Sequence, residues 1–374
     1  MLRRVTSRID FVVRRDLLTE HRIAAAPPPS PLAAGEVELA LDLFGLTTNN
    51  ITYGVAGDML GYWKFFPHVE DPAWGRIPVW GFGVVTRSAV EGVSEGERLY
   101  GYYPMSTHLV VRPRRIDGAG FVDGTPHRRE LGGIYNQYLR TGADPIHVPG
   151  TEPEQVILRP VFATSFLLDD LLVEQDFRGA DTVLVSSASS KTAWGMAFLL
   201  ARRRLRELVG LTSRRSIEVV ARMGLYDRVL AYDDIASLPP KRRAVYVDFS
   251  GSLAIRAAVH RHFGDALRAS LSIGYTHRDE LVAERDLAGP RPELFSAASR
   301  FQQRSAELTH PVLMERLASA WRALLEQVRD PSRGWLRPIR GVGPEAIARA
   351  YDEVVAGRTR PDEGHALSFS EQAS

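Results

Sequence analysis

The sequence predicts an α/β protein with two kinds of section: a β-rich, barrel-like part and a parallel sheet wrapped by helices. Three observations carry that expectation. Short apolar runs of period two, separated by glycine-bearing turns, fill the first part of the chain. From about residue 160, apolar strands alternate with amphipathic helices, and after about residue 285 helical stripes dominate.

Taken in order, Ala26-Pro27-Pro28-Pro29-Ser30-Pro31 is a stiff extended connector, because proline fixes φ and removes a backbone donor. Residues 36–44 then place Val37, Leu39, Leu41 and Leu43 at alternating positions, the pattern of a half-buried strand. Residues 81–86 and 108–113 are expected as further strands, with a turn at 92–99. Many short strands with such turns favour a small barrel or sandwich.

Residues 181–185 are a short apolar run, followed by Ser186-Ser187-Ala188-Ser189-Ser190-Lys191-Thr192 and a helix with Ala193, Met196, Ala197 and Leu200 on one face. Residues 208–212, 229–232, 244–249 and 271–275 are expected as strands and 216–223 as a helix. Such alternation implies right-handed crossovers and a parallel sheet. Further on, Leu313, Leu317, Trp321, Leu324, Leu325 and Val328 form one helical stripe. Thr309-His310-Pro311 before it suits a helix start with proline in the first turn. Residues 344–355 are a last amphipathic helix.

Composition narrows the chemistry. The 374 residues, a length that usually means two domains, carry a formal net charge of +2 and no cysteine. Disulfides, thiolate nucleophiles, iron–sulfur clusters and cysteine-based zinc sites are excluded. Near-neutral charge argues against a dedicated nucleic-acid binder. No apolar run reaches membrane-spanning length, and no apolar core follows the basic N-terminus, so a soluble cytoplasmic protein is expected. His260 and His262, two apart on a helix, point in different directions and predict no metal site. No nucleophile elbow of the form G-x-S-x-G is present.

The most informative element is the strand–turn–helix around residues 183–200. Such a turn gathers free backbone N–H groups at a helix N-terminus, where an anion can sit, and Ser187, Ser190, Lys191 and Thr192 would add donors and charge. The usual dinucleotide fingerprint wants glycines here, and 186–192 contains none, although Ala193 is an accepted substitute for the third. Phosphate binding and a purely structural turn are the two readings. A Walker-type loop would need glycine where Val185 and Ser190 stand. The second strand ends in Thr212-Ser213-Arg214-Arg215-Ser216, with no Asp or Glu between 209 and 216. Arginine at this place accommodates a ribose 2′-phosphate, whereas an acidic residue would hold a 2′-hydroxyl, so NADP is favoured over NAD unless the loop is merely basic and solvated.

Asn49-Asn50-Ile51-Thr52-Tyr53 puts amides, a hydroxyl and a phenol directly after a strand, and Gly61-Tyr62-Trp63-Lys64 adds aromatic surface. Tyr53 is the expected proton donor and Asn50 the expected substrate-orienting amide; the bland reading is a polar turn with an aromatic plug. Gly133-Ile134-Tyr135-Asn136-Gln137-Tyr138 is a second such cluster, with Tyr138 and Tyr275 as weaker donors, or else an aromatic packing surface.

These residues resemble the medium-chain dehydrogenase/reductase superfamily in its zinc-independent quinone and enoyl reductase branch. Gly35-Glu36-Val37 with Asn50-Ile51-Thr52-Tyr53 is similar to that family's opening strand and substrate-pocket segment. Gly83-Val84-Val85, followed by Val93-Ser94-Glu95-Gly96-Glu97-Arg98-Leu99, resembles its glycine, valine and G-D-R-V signature. Residues 183–195 fall where its nucleotide turn lies, and Trp335-Leu336-Arg337-Pro338-Ile339 with Gly364-His365-Ala366-Leu367 resembles its closing elements. Residues 49–53 with Tyr62-Trp63-Lys64-Phe65-Phe66-Pro67 look like a divergent subgroup known mainly as a domain of unknown function.

The resemblance implies a Rossmann-like nucleotide-binding domain at 156–285 and a GroES-like catalytic domain from 1–155 and 286–374. It implies NADP as cofactor, a small-molecule substrate, no metal and a homodimer as a possible assembly. Carried over by position, Ser187, Ser190 and Ala193 take the three small-residue sites of the phosphate turn, with Lys191 and Thr192 beside them. Ser213, Arg214, Arg215 and Tyr232 approximate the 2′-phosphate contacts, and Tyr275 joins the cofactor set. The implied activity is NADPH-dependent reduction of an activated double bond or carbonyl. The alternatives are an enzyme of this fold that has lost redox chemistry (a lyase or hydrolase) or a non-catalytic binding protein.

Overall fold

The computed structural model describes residues 8–68, 70–273 and 287–370. The chain forms two compact units, Met1–Pro160 with Leu336–Ser374, and Val161–Trp335.

In the first unit the alternation seen in the sequence becomes a long strand, Val37–Leu46, that lies antiparallel to Pro78–Ser88 on one side and to Glu363–Ser368 on the other. Pro78–Ser88 in turn pairs antiparallel with Arg98–Pro104, and the ladder continues through Gln137–Arg140, Gly120–Asp123 and Pro113–Arg114. His108–Val111 folds back onto Val37–Leu46, which curls the nine-stranded sheet. Arg337–Val342 runs parallel to Glu363–Ser368, with the expected helix Pro344–Val355 as crossover. Two strands near the start, Ile9–Arg14 and His21–Ala25, were not expected; they pair with each other, and Ile9–Arg14 pairs on its other side with Trp74–Gly75, in a separate small sheet. The core is filled by side chains such as Phe11, Phe44, Tyr103 and Val85, each essentially inaccessible.

His108, expected within a strand and found in one, sits partly buried. Burial first, and then the nearby Arg8 and Arg76 against the opposing Asp10, lowers its imidazole to about 4. The unfolded chain titrates near 6.5 and takes up the proton first. Stability is therefore fully present above about pH 6.5 and declines as pH falls toward 4. Thermal unfolding at pH 7.5 and pH 5 should show a smaller acid loss in a His108→Asn variant than in the parent; equal losses would remove His108 from the account.

The second unit has a six-stranded, all-parallel sheet in the spatial order Arg228–Ala231, Glu207–Thr212, Thr182–Val185, Ala244–Asp248, Leu267–Ile273, Glu293–Phe295. In chain order this is 3-2-1-4-5-6, the doubly wound arrangement whose order reverses beside the first strand. The helix after that first strand, Lys191–Arg203, packs closely on the long helix Glu152–Glu174: a Cβ on Gly195 would lie 2.8 Å from Ser165 Oγ. Ser165 Oγ also donates to the Thr192 carbonyl at 2.8 Å.

The boundary differs from expectation. The second unit extends to Trp335 rather than ending at residue 285. The stripe on helix His310–Val328 is the cause: Leu313, Leu317, Trp321, Leu324, Leu325 and Val328 are all buried, and Trp321 packs against Phe162 with ring centroids 5.3 Å apart. This helix closes over the second unit instead of returning to the first.

Candidate functional site

The second unit carries a candidate anion site at the carboxyl end of its first strand. There the backbone turns sharply, and Ser187 has φ +48°, a left-handed conformation that glycine adopts without cost. The Ser187 N–H donates to the Tyr232 hydroxyl at 3.0 Å. Ser190 is the N-cap of helix Lys191–Arg203, and its Oγ accepts the Ala193 N–H at 3.3 Å. Among the described residues the N–H groups of Ser189 and Thr192 have no acceptor. A helix of 13 residues starting here contributes its positive end as well. This donor set fits a phosphate group, although the Ser187 and Ala193 N–H groups are already engaged.

The two residue sets expected around it separate by role. Ser187, Ser190, Lys191, Thr192, Ala193 and Tyr232 come together at the turn, whereas Ser213 and Arg214 lie after the neighbouring strand. Ser213 Oγ donates to Ser216 Oγ at 3.2 Å. Arg214 is exposed and pairs with Asp233 at 3.5 Å and Asp234 at 3.4 Å. Arg215 is exposed and makes no ion pair among the described residues. Tyr275 lies outside the described residues.

Sequence reasoning missed the group that fixes the turn. Ser186 Oγ donates to the Asp248 carboxylate at 2.7 Å and accepts from the Phe249 and Ser250 N–H groups. Asp248 also accepts from the Ser250 hydroxyl and N–H and pairs with Arg256 at 2.9 Å, both members of that pair being buried. Burial opposes ionisation of Asp248, but hydrogen bonds from Ser186 and Ser250 together with Arg256 hold its carboxyl below the usual value. The apolar strand ending in aspartate, Val245-Tyr246-Val247-Asp248, was the available signal.

The first unit carries a cluster of phenols. The segment for which a polar turn was the bland reading is a helix, Thr48–Val55. Asn50 belongs to its cap: its Oδ1 accepts the Thr47 N–H at 2.9 Å and its Nδ2 donates to the Pro78 carbonyl at 3.1 Å. With both ends engaged and the side chain buried, Asn50 anchors the helix to strand Pro78–Ser88 and is not placed to orient a substrate. Tyr138 is corrected likewise. It is buried beside Phe121, and its hydroxyl donates to the Tyr102 carbonyl at 2.6 Å, which removes it as a proton donor.

Tyr53 is different. Its oxygen accepts from Asn49 Nδ2 at 2.9 Å and from Trp80 Nε1 at 3.3 Å, and among the described residues its own O–H has no acceptor. Burial pushes the phenol up to about 12, partly offset by those two donors. Around it, Tyr62 lies 4.6 Å and Tyr102 5.7 Å away between ring centroids, and Tyr62 and Tyr135 share a hydrogen bond of 3.2 Å. The hydroxyls of Tyr100 and Tyr102 are buried with no hydrogen-bond partner among the described residues. The cluster therefore has a surplus of O–H donors and a shortage of acceptors, a surrounding suited to a carbonyl oxygen that gains negative charge. Among the described residues, no three His, Asp or Glu side chains gather as metal ligands, and no helix is long and apolar enough to cross a membrane.

Comparison with known proteins gives three results. The profile of the family described as "Protein of unknown function (DUF2855)" matches residues 44–360. No curated protein sequence matches the chain. Among solved structures, CurA from Vibrio vulnificus in complex with NADPH is similar with a TM-score of 0.61 at 13% identity, over 98% of this chain and 100% of that one. CurK enoyl reductase is similar with a TM-score of 0.53 at 13% identity, over 97% and 99%. The yhdH oxidoreductase from Salmonella enterica in complex with NADP gives 0.51 at 13% identity, over 96% and 99%. The fold is that of the quinone and enoyl reductases of the medium-chain superfamily, as the sequence resemblance implied.

Proposed function

The chain belongs to the family described as "Protein of unknown function (DUF2855)", and within it we propose that this protein is an NADPH-dependent reductase of an activated double bond or carbonyl. The observation that carries this reading is the 3-2-1-4-5-6 parallel sheet with phosphate-competent donors on the turn after its first strand, where such sheets bind dinucleotides. The NADPH and NADP named with CurA and the yhdH oxidoreductase support the choice of cofactor. Bound NADPH would supply hydride to the electrophilic carbon.

The chain's own residues do the rest. Ser189 and Thr192 N–H groups and the helix N-terminus hold the diphosphate, with Ser187, Ser190, Lys191 and Ala193 shaping the turn. Arg215 receives the 2′-phosphate, and Arg214 joins it by leaving its two exposed aspartate partners, a change that costs little because surface pairs are weak. Tyr53 donates its unpartnered proton to the oxygen on which charge develops, so that no metal is required for this step.

Titration of the protein with NADPH and NADH, followed by fluorescence, tests the reading: NADPH should bind and NADH bind far more weakly. Arg215→Ala should weaken NADPH binding by about 5–30-fold, the loss of one charge-assisted contact of roughly 1–2 kcal/mol, and leave NADH binding unchanged. A second reading, a nucleotide-free protein of the same fold, is favoured by the engagement of the Ser187 and Ala193 N–H groups by Tyr232 and Ser190. Absence of binding by either nucleotide would select it.

A further inference from the structure

We infer that Asn49 and Trp80 are positioning residues for Tyr53, two N–H donors that fill the acceptor sites of its phenol oxygen and leave its O–H free for a substrate. The inference rests on the proposed role of Tyr53 as proton donor. A phenol oxygen can accept two hydrogen bonds and donate one. Asn49 Nδ2 and Trp80 Nε1 take the two acceptor sites at 2.9 and 3.3 Å, so the hydroxyl hydrogen must turn away from both.

The two donors come from different elements, and each is fixed. Asn49 and Tyr53 are four residues apart on helix Thr48–Val55, the spacing at which helical side chains meet. Trp80 stands on strand Pro78–Ser88, paired in register with Tyr102, and its ring stacks on Tyr100 at 14° with centroids 5.7 Å apart. Tyr100 in turn lies under the Arg159 guanidinium at 3.7 Å, and Arg159 is paired with buried Asp144 at 2.6 Å. Asn50 ties the helix to the same strand two residues before Trp80. The two donors therefore converge on one oxygen from a rigid frame.

Their chemical effect appears after the proton has left. A phenolate in a buried site loses its water shell, and each N–H that remains on the oxygen stabilises the charge. A burial-only phenol would hold its proton too firmly to give it up; the pair of donors counters that.

The test replaces Tyr53 by 3-fluorotyrosine in the full chain and follows its ¹⁹F resonance with pH, a readout independent of any substrate. Trp80→Phe and Asn49→Ala, introduced separately, should each raise the titration midpoint by about one pH unit. Asn49 is half-buried on a helix surface, so its variant keeps the test alive if Trp80→Phe does not fold. A midpoint unmoved or lowered in the folded variants overturns the inference while leaving Tyr53 as donor. Full turnover by Tyr53→Phe overturns the reading on which it rests, whatever the titration shows.

Discussion

Tyr53→Phe is expected to lower kcat for reduction of a quinone or an α,β-unsaturated ketone by about 10²–10⁴-fold, with NADPH affinity unchanged. That range is the usual contribution of a positioned general acid and corresponds to about 3–5 kcal/mol of barrier. The substitution removes one oxygen from a ring that otherwise keeps its neighbours, Tyr62 and Tyr102, so packing changes little. It also leaves Asn49 Nδ2 half-exposed and able to find water, and Trp80 Nε1 without its partner, a modest cost that falls on stability and not on cofactor binding. Because the proposed reading puts NADPH on the turn at 186–192, its dissociation constant is the internal control. A proton-donor role predicts a loss in kcat with KM nearly constant, since the interaction strengthens only as charge develops. Steady-state rates with calorimetric NADPH binding measured in parallel make the distinction. Equal losses in turnover and in NADPH affinity would point instead to a disordered protein, and undiminished turnover would transfer the donor role to another phenol.

The sequence made the second unit legible because its elements announce themselves locally. Residues 244–249 carry Val245 and Val247 in a short apolar run, and the strand Ala244–Asp248 follows; Leu313, Leu317, Trp321, Leu324, Leu325 and Val328 have helical spacing, and all lie on the helix His310–Val328. The turn was visible for the same reason, since a strand, a serine run and an amphipathic helix succeed one another without a gap. What stayed hidden depended on partners distant in sequence. Asn50 reads as a substrate amide until the Pro78 carbonyl, 28 residues later, is seen to accept its N–H. Tyr138 reads as a free phenol until the Tyr102 carbonyl, on another element, is seen to accept its O–H. Helix Thr48–Val55 was not legible as a helix because it is only eight residues long and rich in Thr and Asn, which favour caps and turns over helix interiors. The serines of the phosphate turn illustrate the same limit. Their identity argued against a glycine-type cradle, but only the structure shows that Ser187 adopts the backbone a glycine would and that Ser190 spends its oxygen on a cap.

Asp248→Ala should destabilise the second unit strongly, by about 3–5 kcal/mol, because it breaks the buried ion pair with Arg256 from one side. For a unit of this size that corresponds to a fall in Tm of roughly 6–20 °C. The damage should reach the phosphate turn. Ser186 Oγ loses the acceptor that orients it, and through it the N–H groups of Phe249 and Ser250 lose a fixed partner. NADPH affinity should therefore fall together with Tm, in contrast to Tyr53→Phe. The double variant Asp248→Ala with Arg256→Met separates charge from packing. Removing the Arg256 charge as well should recover part of the lost Tm, since an ion pair replaced on both sides costs far less than one broken on one side. It should not recover NADPH binding, because Ser186 remains without its acceptor. The pH dependence carries the matching sign. Asp248 is held below the ordinary carboxylate value, so its contribution is fully present above about pH 4 and lost as pH falls through the lower folded-state value. The parent should thus lose Tm below about pH 4 more steeply than Asp248→Ala. Parallel acid unfolding curves for the two proteins would show that the buried Ser186–Asp248–Arg256 group does not hold the turn in the way its geometry indicates.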